Sequence, residues 1–243
     1  MLLKYQLFRQ QGPDRWRFAY FNDQIRIDQT TAAVKTAVEN VYTKYFANPE
    51  VQVPLKGGWF RKGCTVLDVG AGSGLMAMIS SRAGAAAVVT LERTQAAQTM
   101  VSRIAKANDF SSYKLKPVWA SSDAICCMAT VATSTEDQQC VMDERADVVT
   151  MEIVEPALLG ERLCDFIYLG QNKDLTVEDV TMIPSKAEIW MAPIDCPVQP
   201  ISLEKPLRGE ISELDLHEFD KFRRHKLQPV SLIHTKYSLC CAG

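Results

Sequence analysis

Three glycines at alternate positions, Asp68-Val-Gly70-Ala-Gly72-Ser-Gly74, stand between an apolar pentapeptide and an apolar octapeptide. This feature restricts the fold more than any other in the chain. Thr65–Val69 reads as a buried strand and Leu75–Arg82 as a helix, so the glycines occupy a strand-to-helix turn. Glycine permits a tight turn there and lets a ligand approach the backbone closely. In dinucleotide folds such a turn faces a pyrophosphate. The spacing here is GxGxG rather than the GxGxxG of that fingerprint. Glu92, 22 residues after Gly70, ends the next apolar stretch, where an acid can accept from both hydroxyls of a ribose. The alternative is an ordinary glycine turn with a surface glutamate. Strand, helix and placed acid together point to an adenosine-type cofactor. NAD would suit the acid. The shorter glycine spacing and Asp68 suit S-adenosyl-L-methionine better, because it brings an amine, a carboxylate and a ribose but no phosphate.

The rest of the chain alternates strand and helix. Val34, Val38, Val41 and Tyr45 predict a helix over 30–46, ended by Asn48-Pro49, with a loop at Gly57-Gly58. A second strand is expected over 86–91. Thr94 can cap a helix reaching Ala107, with Ala97, Met100, Val101 and Ile104 on one face and Asn108 as its stop. A third strand follows over Leu115–Trp119. Residues 120–145, polar and poor in periodicity, read as a connection with at most a short helix. Asp123 lies there, just past the third strand; it can accept from an adenine amine or simply belong to a Ser-Ser-Asp turn. A fourth strand is expected over 146–154, a helix over 158–169, and strands over 180–182 and 187–192. The alternation predicts an α/β fold, a Rossmann-like, largely parallel sheet covered on both faces. Prolines 193, 197, 200 and 206 mark a change of composition, and the last 45 or so residues are too few for a core of their own. The expected division is an N-terminal helical segment (1–46), a cofactor-binding domain (47–184) and a smaller C-terminal piece (185–243).

Composition removes several classes. Hydrophobic residues at 47% and charged residues at 23% fit a globular chain with a sizeable core. The 27 basic and 29 acidic residues leave a net charge of −2, so there is no global basic footprint for direct nucleic-acid binding. No run of 18 apolar residues predicts a membrane-spanning helix. None of the eight cysteines forms a CxxC, and only His217, His225 and His234 are available, which argues against zinc and for reduced thiols in a cytosolic-type protein. The N-terminus lacks the apolar core of a secretory signal. Its acid-free stretch up to Asp14, with Lys4 and Arg9, leaves a mitochondrial presequence as an alternative.

The second informative segment is Met151-Glu152-Ile-Val-Glu155-Pro-Ala-Leu-Leu-Gly-Glu161, at the end of the fourth strand. Ligands of open α/β sheets bind at the carboxyl ends of strands, which places Glu152 at the cofactor's mouth. Three glutamates within ten otherwise apolar residues are costly to bury unless a cation sits among them. A guanidinium matches two carboxylates, because its planar donors engage each in a fork. The competing explanation, acids favouring a helix N-terminus, suits Glu155 before Pro156 better than it suits Glu152 and Glu161.

This segment resembles the double-glutamate loop of protein arginine N-methyltransferases, whose two glutamates stand nine positions apart as Glu152 and Glu161 do. The nucleotide loop VLDVGAGSGLMAM, the acid Glu92 and the phrase MIPSKAEIWMA resemble the same family in the same order, over roughly residues 20–195. The resemblance implies methyl transfer from S-adenosyl-L-methionine to a guanidino nitrogen, with Glu152 and Glu161 as the catalytic pair. Arg26, in Asp23-Gln-Ile-Arg26, would bind the cofactor carboxylate, and Asp123 the adenine amine. Most members carry glycine where Glu155 stands. An acid there is similar to the type III, monomethylating branch and implies a narrower, more acidic pocket favouring basic target sequences. The implied partners are protein segments rich in arginine, with a homodimer or a partner methyltransferase, no direct nucleic acid and no membrane. The implied compartment is the cytoplasm, with the nucleus also open. Departures accompany the match. Trp16-Arg-Phe-Ala-Tyr-Phe21 fits the family's first helix loosely, no threonine-histidine-tryptophan loop follows residue 195, and no dimerisation arm is identifiable, so 185–243 reads as part of a β-barrel in a shortened member. Three rival readings stand beside it: a small-molecule methyltransferase, a non-catalytic or partner-dependent paralogue that binds the cofactor or a partner enzyme, and a nicotinamide-dependent oxidoreductase.

Overall fold

The computed structural model describes residues 21–47, 63–112, 114–120, 125–127, 139–151, 153, 163–164, 166–167, 175–189, 210–211, 214–215 and 235–238. Helix α1 spans Gln24–Phe46. It starts six residues before the expected 30, because the Asp23 carboxylate accepts from the Arg26 amide at 3.1 Å and caps the first turn. Ile27, Thr30, Ala33, Val34, Ala37, Val38 and Val41 form its buried stripe. At its far end the Tyr42 hydroxyl donates to the Gly84 carbonyl at 2.8 Å. Lys44 pairs with Asp179, and Tyr45 donates to the same carboxylate at 3.3 Å.

The central sheet is built from β1 (Thr65–Val69), β2 (Ala87–Glu92), β3 (Leu115–Trp119), β6 (Ala146–Met151) and β7 (Thr176–Ile183). Its order is β3-β2-β1-β6-β7 and every pairing is parallel. Helix α2 (Leu75–Arg82) links β1 to β2, and α3 (Gln95–Ala107) links β2 to β3. The expected Thr94 cap is present, its hydroxyl accepting from the Ala97 amide at 3.2 Å. Side-chain alternation divides two cores. Val66, Val88, Leu115 and Val148 pack beneath α1, α2 and α3. Leu67, Val69, Val89, Leu91, Val118, Val149 and Met151 face the other way, with Phe166 and Leu175. All residues of β1 and β6 are buried, which is why both are apolar on both faces rather than alternating, with Thr65, Asp68, Asp147 and Thr150 as buried polar exceptions. The fold is thus the α/β, Rossmann-like sheet expected.

Several boundaries differ from expectation. β6 covers Ala146–Met151, its last partner on β1 being Val69, and Ile153 is not in a strand; the expected positions 152 and 154 lie outside the described residues. β7 is eight residues long, not three; at the sheet edge its exposed Glu178 and Asp179 masked the strand pattern. The stretch read as a connection contains β4 (Ile125–Cys127) and β5 (Gln139–Met142), a short parallel pair. β8 covers Lys186–Ile189 and pairs antiparallel with β11 (Thr235–Ser238); β9 (Glu210–Ile211) and β10 (Leu214–Asp215) form a second antiparallel pair. Of the helix expected over 158–169, residues 163–164 and 166–167 are helical and the others lie outside the described residues, as do Asn48-Pro49 and Gly57-Gly58. No described helix is long and apolar enough to cross a membrane, and the described residues hold no cluster of metal-ligating side chains.

Candidate functional site

The chain winds from β1 outward through β2 to β3, then returns to the other side of β1 for β6 and β7. The order therefore reverses at β1, and the crevice above its carboxyl end is where ligands of such sheets sit. The glycine turn forms the floor of that crevice. The amides of Gly70 and Ala71 donate to the Leu91 carbonyl at 3.0 and 3.4 Å, so the turn leans across the end of β2. Gly74 donates to the Ala71 carbonyl at 2.7 Å and closes it. Gly70, Gly72 and Gly74 have φ of +69°, +58° and +80°, a region that costs other residues about 1–2 kcal/mol. Close approach adds a second demand. A Cβ on Gly70 would lie 2.5 Å from Ile153 Cγ2, and one on Gly74 2.8 Å from Val101 Cγ1 of α3.

Two carboxyl groups sit at this turn. Glu92, the last residue of β2, is nearly buried and accepts from the Gly72 amide, which fixes its carboxylate against the loop. Asp68 lies one position before the end of β1 and is fully buried. Its register partners are Thr90 on β2 and Thr150 on β6, which makes a polar row across three strands. The Thr150 hydroxyl donates to Asp68 Oδ1 at 2.7 Å, while Oδ2 has no hydrogen-bond partner among the described residues. Burial pushes the Asp68 carboxyl up to about 7, with the nearby Glu92 charge adding to the rise; the Thr150 hydroxyl and the Ala77 amide oppose it. An unpartnered buried carboxyl oxygen beneath a glycine cradle, beside a glutamate held by a backbone amide, suits a ligand with ribose hydroxyls and a cationic group. These residues accordingly fit S-adenosyl-L-methionine, which brings both.

The structure thus brings together Asp68, Gly70, Gly72, Gly74 and Glu92. Arg26 lies in the first turn of α1, half-buried. Glu152, Glu155, Glu161 and Asp123 lie outside the described residues, but their flanks are informative. Of the residues beside Glu152 in the chain, Met151 is in register with Val69 and Ile153 packs against Gly70. Phe166, five positions after Glu161, is buried in the second core. Three site neighbours escaped the sequence reading: Thr150, Ile153 and Trp119. A lone threonine inside the apolar β6 run was the available signal for the first; the other two depend on pairing and packing that no local pattern carries.

Comparison with known proteins agrees with this geometry. The family described as ribosomal protein L11 methyltransferase (PrmA) matches residues 29–159. A protein arginine N-methyltransferase PRMT10 of Oryza sativa subsp. japonica is 33% identical over 133 residues, 55% of this chain and 30% of that protein. An arginine N(omega)-methyltransferase of Streptomyces achromogenes subsp. streptozoticus is 31% identical over 184 residues, 76% of this chain and 41% of that protein. The chain therefore spans less than half the length of these relatives. A solved structure of Arabidopsis thaliana protein arginine methyltransferase 10 shares the fold, with a TM-score of 0.51 at 24% identity over 75% of this chain and 41% of that one.

Proposed function

The chain belongs to the PrmA-type methyltransferase family, and from that premise we propose that it transfers a methyl group from S-adenosyl-L-methionine to a guanidino nitrogen of arginine. The observation that carries the reading is the register of Val69 with Met151. It brings Met151 level with the end of β1 and Ile153 against Gly70 of the glycine turn, which supports reading the two-glutamate segment, continuous with those residues in the chain, as lying near the cofactor turn. Similarity to relatives named for arginine methylation supports the same acceptor.

The bound cofactor supplies an electrophilic methyl on a sulfonium. The chain's own residues do the rest. Glu92 takes the ribose hydroxyls, the side-chain-free glycine turn lets the amino-acid arm approach its backbone, Asp68 takes the amine and Arg26 the carboxylate of that arm, and Asp123 accepts from the adenine amine. Glu152 and Glu161 hold the acceptor guanidinium. Arginine is a poor nucleophile, because it stays protonated and its lone pairs are delocalised. Paired carboxylates draw its positive charge away from the attacking nitrogen and align that nitrogen with the methyl. Such alignment alone can lower a barrier by about 7–11 kcal/mol. Glu161 receives the proton lost on transfer. Glu155 makes the pocket narrower and more acidic, so the product is monomethylarginine in a basic sequence context. The acceptor is an arginine-rich protein segment, reached as a homodimer or with a partner methyltransferase, in the cytoplasm or nucleus.

The test pairs binding with turnover. Calorimetry with S-adenosylhomocysteine is expected to give micromolar binding that Glu92→Ala abolishes. Glu152→Gln and Glu161→Gln should each keep that binding and lower methyl transfer to arginine-rich peptides by orders of magnitude. Amino-acid analysis should find monomethylarginine. Absence of binding by the folded wild-type chain would overturn the reading. Binding without transfer to peptide or to free arginine would restrict it to a cofactor-binding paralogue.

A further inference from the structure

We infer that Trp119 is the platform on which the adenine of the cofactor stacks, an inference that rests on the cofactor reading above. The sheet order supplies the direction. The glycine turn follows β1, Glu92 ends β2, and Trp119 ends β3, the next strand outward. Trp119 is the register partner of Glu92. A ribose held by Glu92 has its C5′ arm toward the glycine turn and the β1 side. The base, attached at the opposite end of the ring, then extends toward β3, one strand spacing or about 4.8 Å away. In-register residues of neighbouring parallel strands lie on the same side of the sheet. Leu115 belongs to the first core and Val118 to the second, so alternation keeps Trp119 on the Glu92 side.

Trp119 is 57% exposed, and with Ile25 it is one of two large hydrophobic residues exposed among the described residues. An indole left in water at the end of an edge strand gains nothing from the fold itself. It does offer a flat π surface at the height of the ribose acid. Its backbone is held in place: β3 is paired along its whole length, and Gln98 of α3 donates to the Pro117 carbonyl at 3.4 Å. A rigid aromatic face stacks on a purine regardless of hydrogen-bond pattern. Trp119 is therefore a positioning residue that sets affinity for the adenosine half and leaves the reacting atoms untouched.

The experiment titrates S-adenosylhomocysteine into the full chain, following both calorimetry and tryptophan fluorescence. Trp119→Ala should weaken binding about 5- to 100-fold, the range that loss of one stacked base implies. Trp119→Phe should stay within about threefold of wild type, since it keeps a ring. Ligand quenching should be present in wild type and clearly smaller in Trp119→Phe, the remainder coming from Trp16, Trp59 and Trp190. A Trp119→Ala chain that binds like wild type, or quenching that is undiminished in Trp119→Phe, overturns the stacking role while Glu92→Ala still reports on the cofactor site. A folded wild-type chain that binds no S-adenosylhomocysteine overturns both. Should Trp119→Ala misfold, the fluorescence of Trp119→Phe decides alone.

Discussion

Replacing Asp68 by asparagine should change how the stability of this protein depends on pH. Asp68 is fully buried, and burial raises its carboxyl from an unfolded value of 3.8 to about 7. Below pH 3.8 the group is protonated in both states and contributes no pH dependence. Between those values the native state holds a proton that the unfolded chain has released, so stability falls as pH rises; above about 7 both states are ionised and the loss is complete. Roughly three pH units at 1.36 kcal/mol each give about 4 kcal/mol at most. This is the reverse of the usual carboxylate, which stabilises on ionisation. Asp68→Asn keeps an oxygen to accept from Thr150 and cannot titrate. The assay is urea unfolding followed by circular dichroism, wild type beside variant, from pH 4 to pH 8 without cofactor. The absolute stability of the variant is not the readout. The difference between the two profiles is, and it should shift against the wild type by several kcal/mol across that range. Parallel profiles would refute the reasoning, because they would mean that the carboxyl is charged throughout or not buried in solution.

Further expectations follow from the same geometry. Gly70→Ala places a methyl 2.5 Å from Ile153 Cγ2 at a φ of +69°. It should lower S-adenosylhomocysteine affinity and methyl transfer at least tenfold and also cost about 1–3 kcal/mol in urea unfolding, since the positive φ and the stiff β-branched Ile153 both resist the methyl. Gly74→Ala meets Val101 at 2.8 Å with φ +80° and should cost about 1–3 kcal/mol in urea unfolding. Combining it with Val101→Ala should recover part of that loss, and a double-mutant cycle measures the coupling. Tyr42→Phe removes the hydroxyl that ties α1 to the Gly84 carbonyl, and should cost about 0.5–1.5 kcal/mol by the same assay.

Local chemistry was legible in the sequence where it is dictated within a few residues. The glycine turn, both strands beside it, the Thr94 cap and the acid at the end of β2 follow from periodicity and from the backbone freedom that only glycine has. The start of α1 was missed even though Asp23, a good capping residue, stood in view; the apolar stripe becomes dense only from residue 33. β7 was underestimated because an edge strand tolerates charges such as Glu178 and Asp179 on its exposed positions. The β4–β5 pair was missed because three- and four-residue strands carry no period of their own and exist only through each other.

A strand, a glycine turn, a helix and an acid one strand away are written into local sequence, because each rests on contacts between near neighbours in the chain. Which strands lie beside β1 is a matter of tertiary pairing between residues some 80 positions apart, such as Asp68 and Thr150. That pairing buries the Asp68 carboxyl and lifts it toward neutrality. It brings Ile153 against Gly70 and sets Trp119 level with Glu92. The physical reason is that burial and register are properties of the assembled sheet. A carboxyl, a threonine or an indole becomes part of a site only when distant strands close around it.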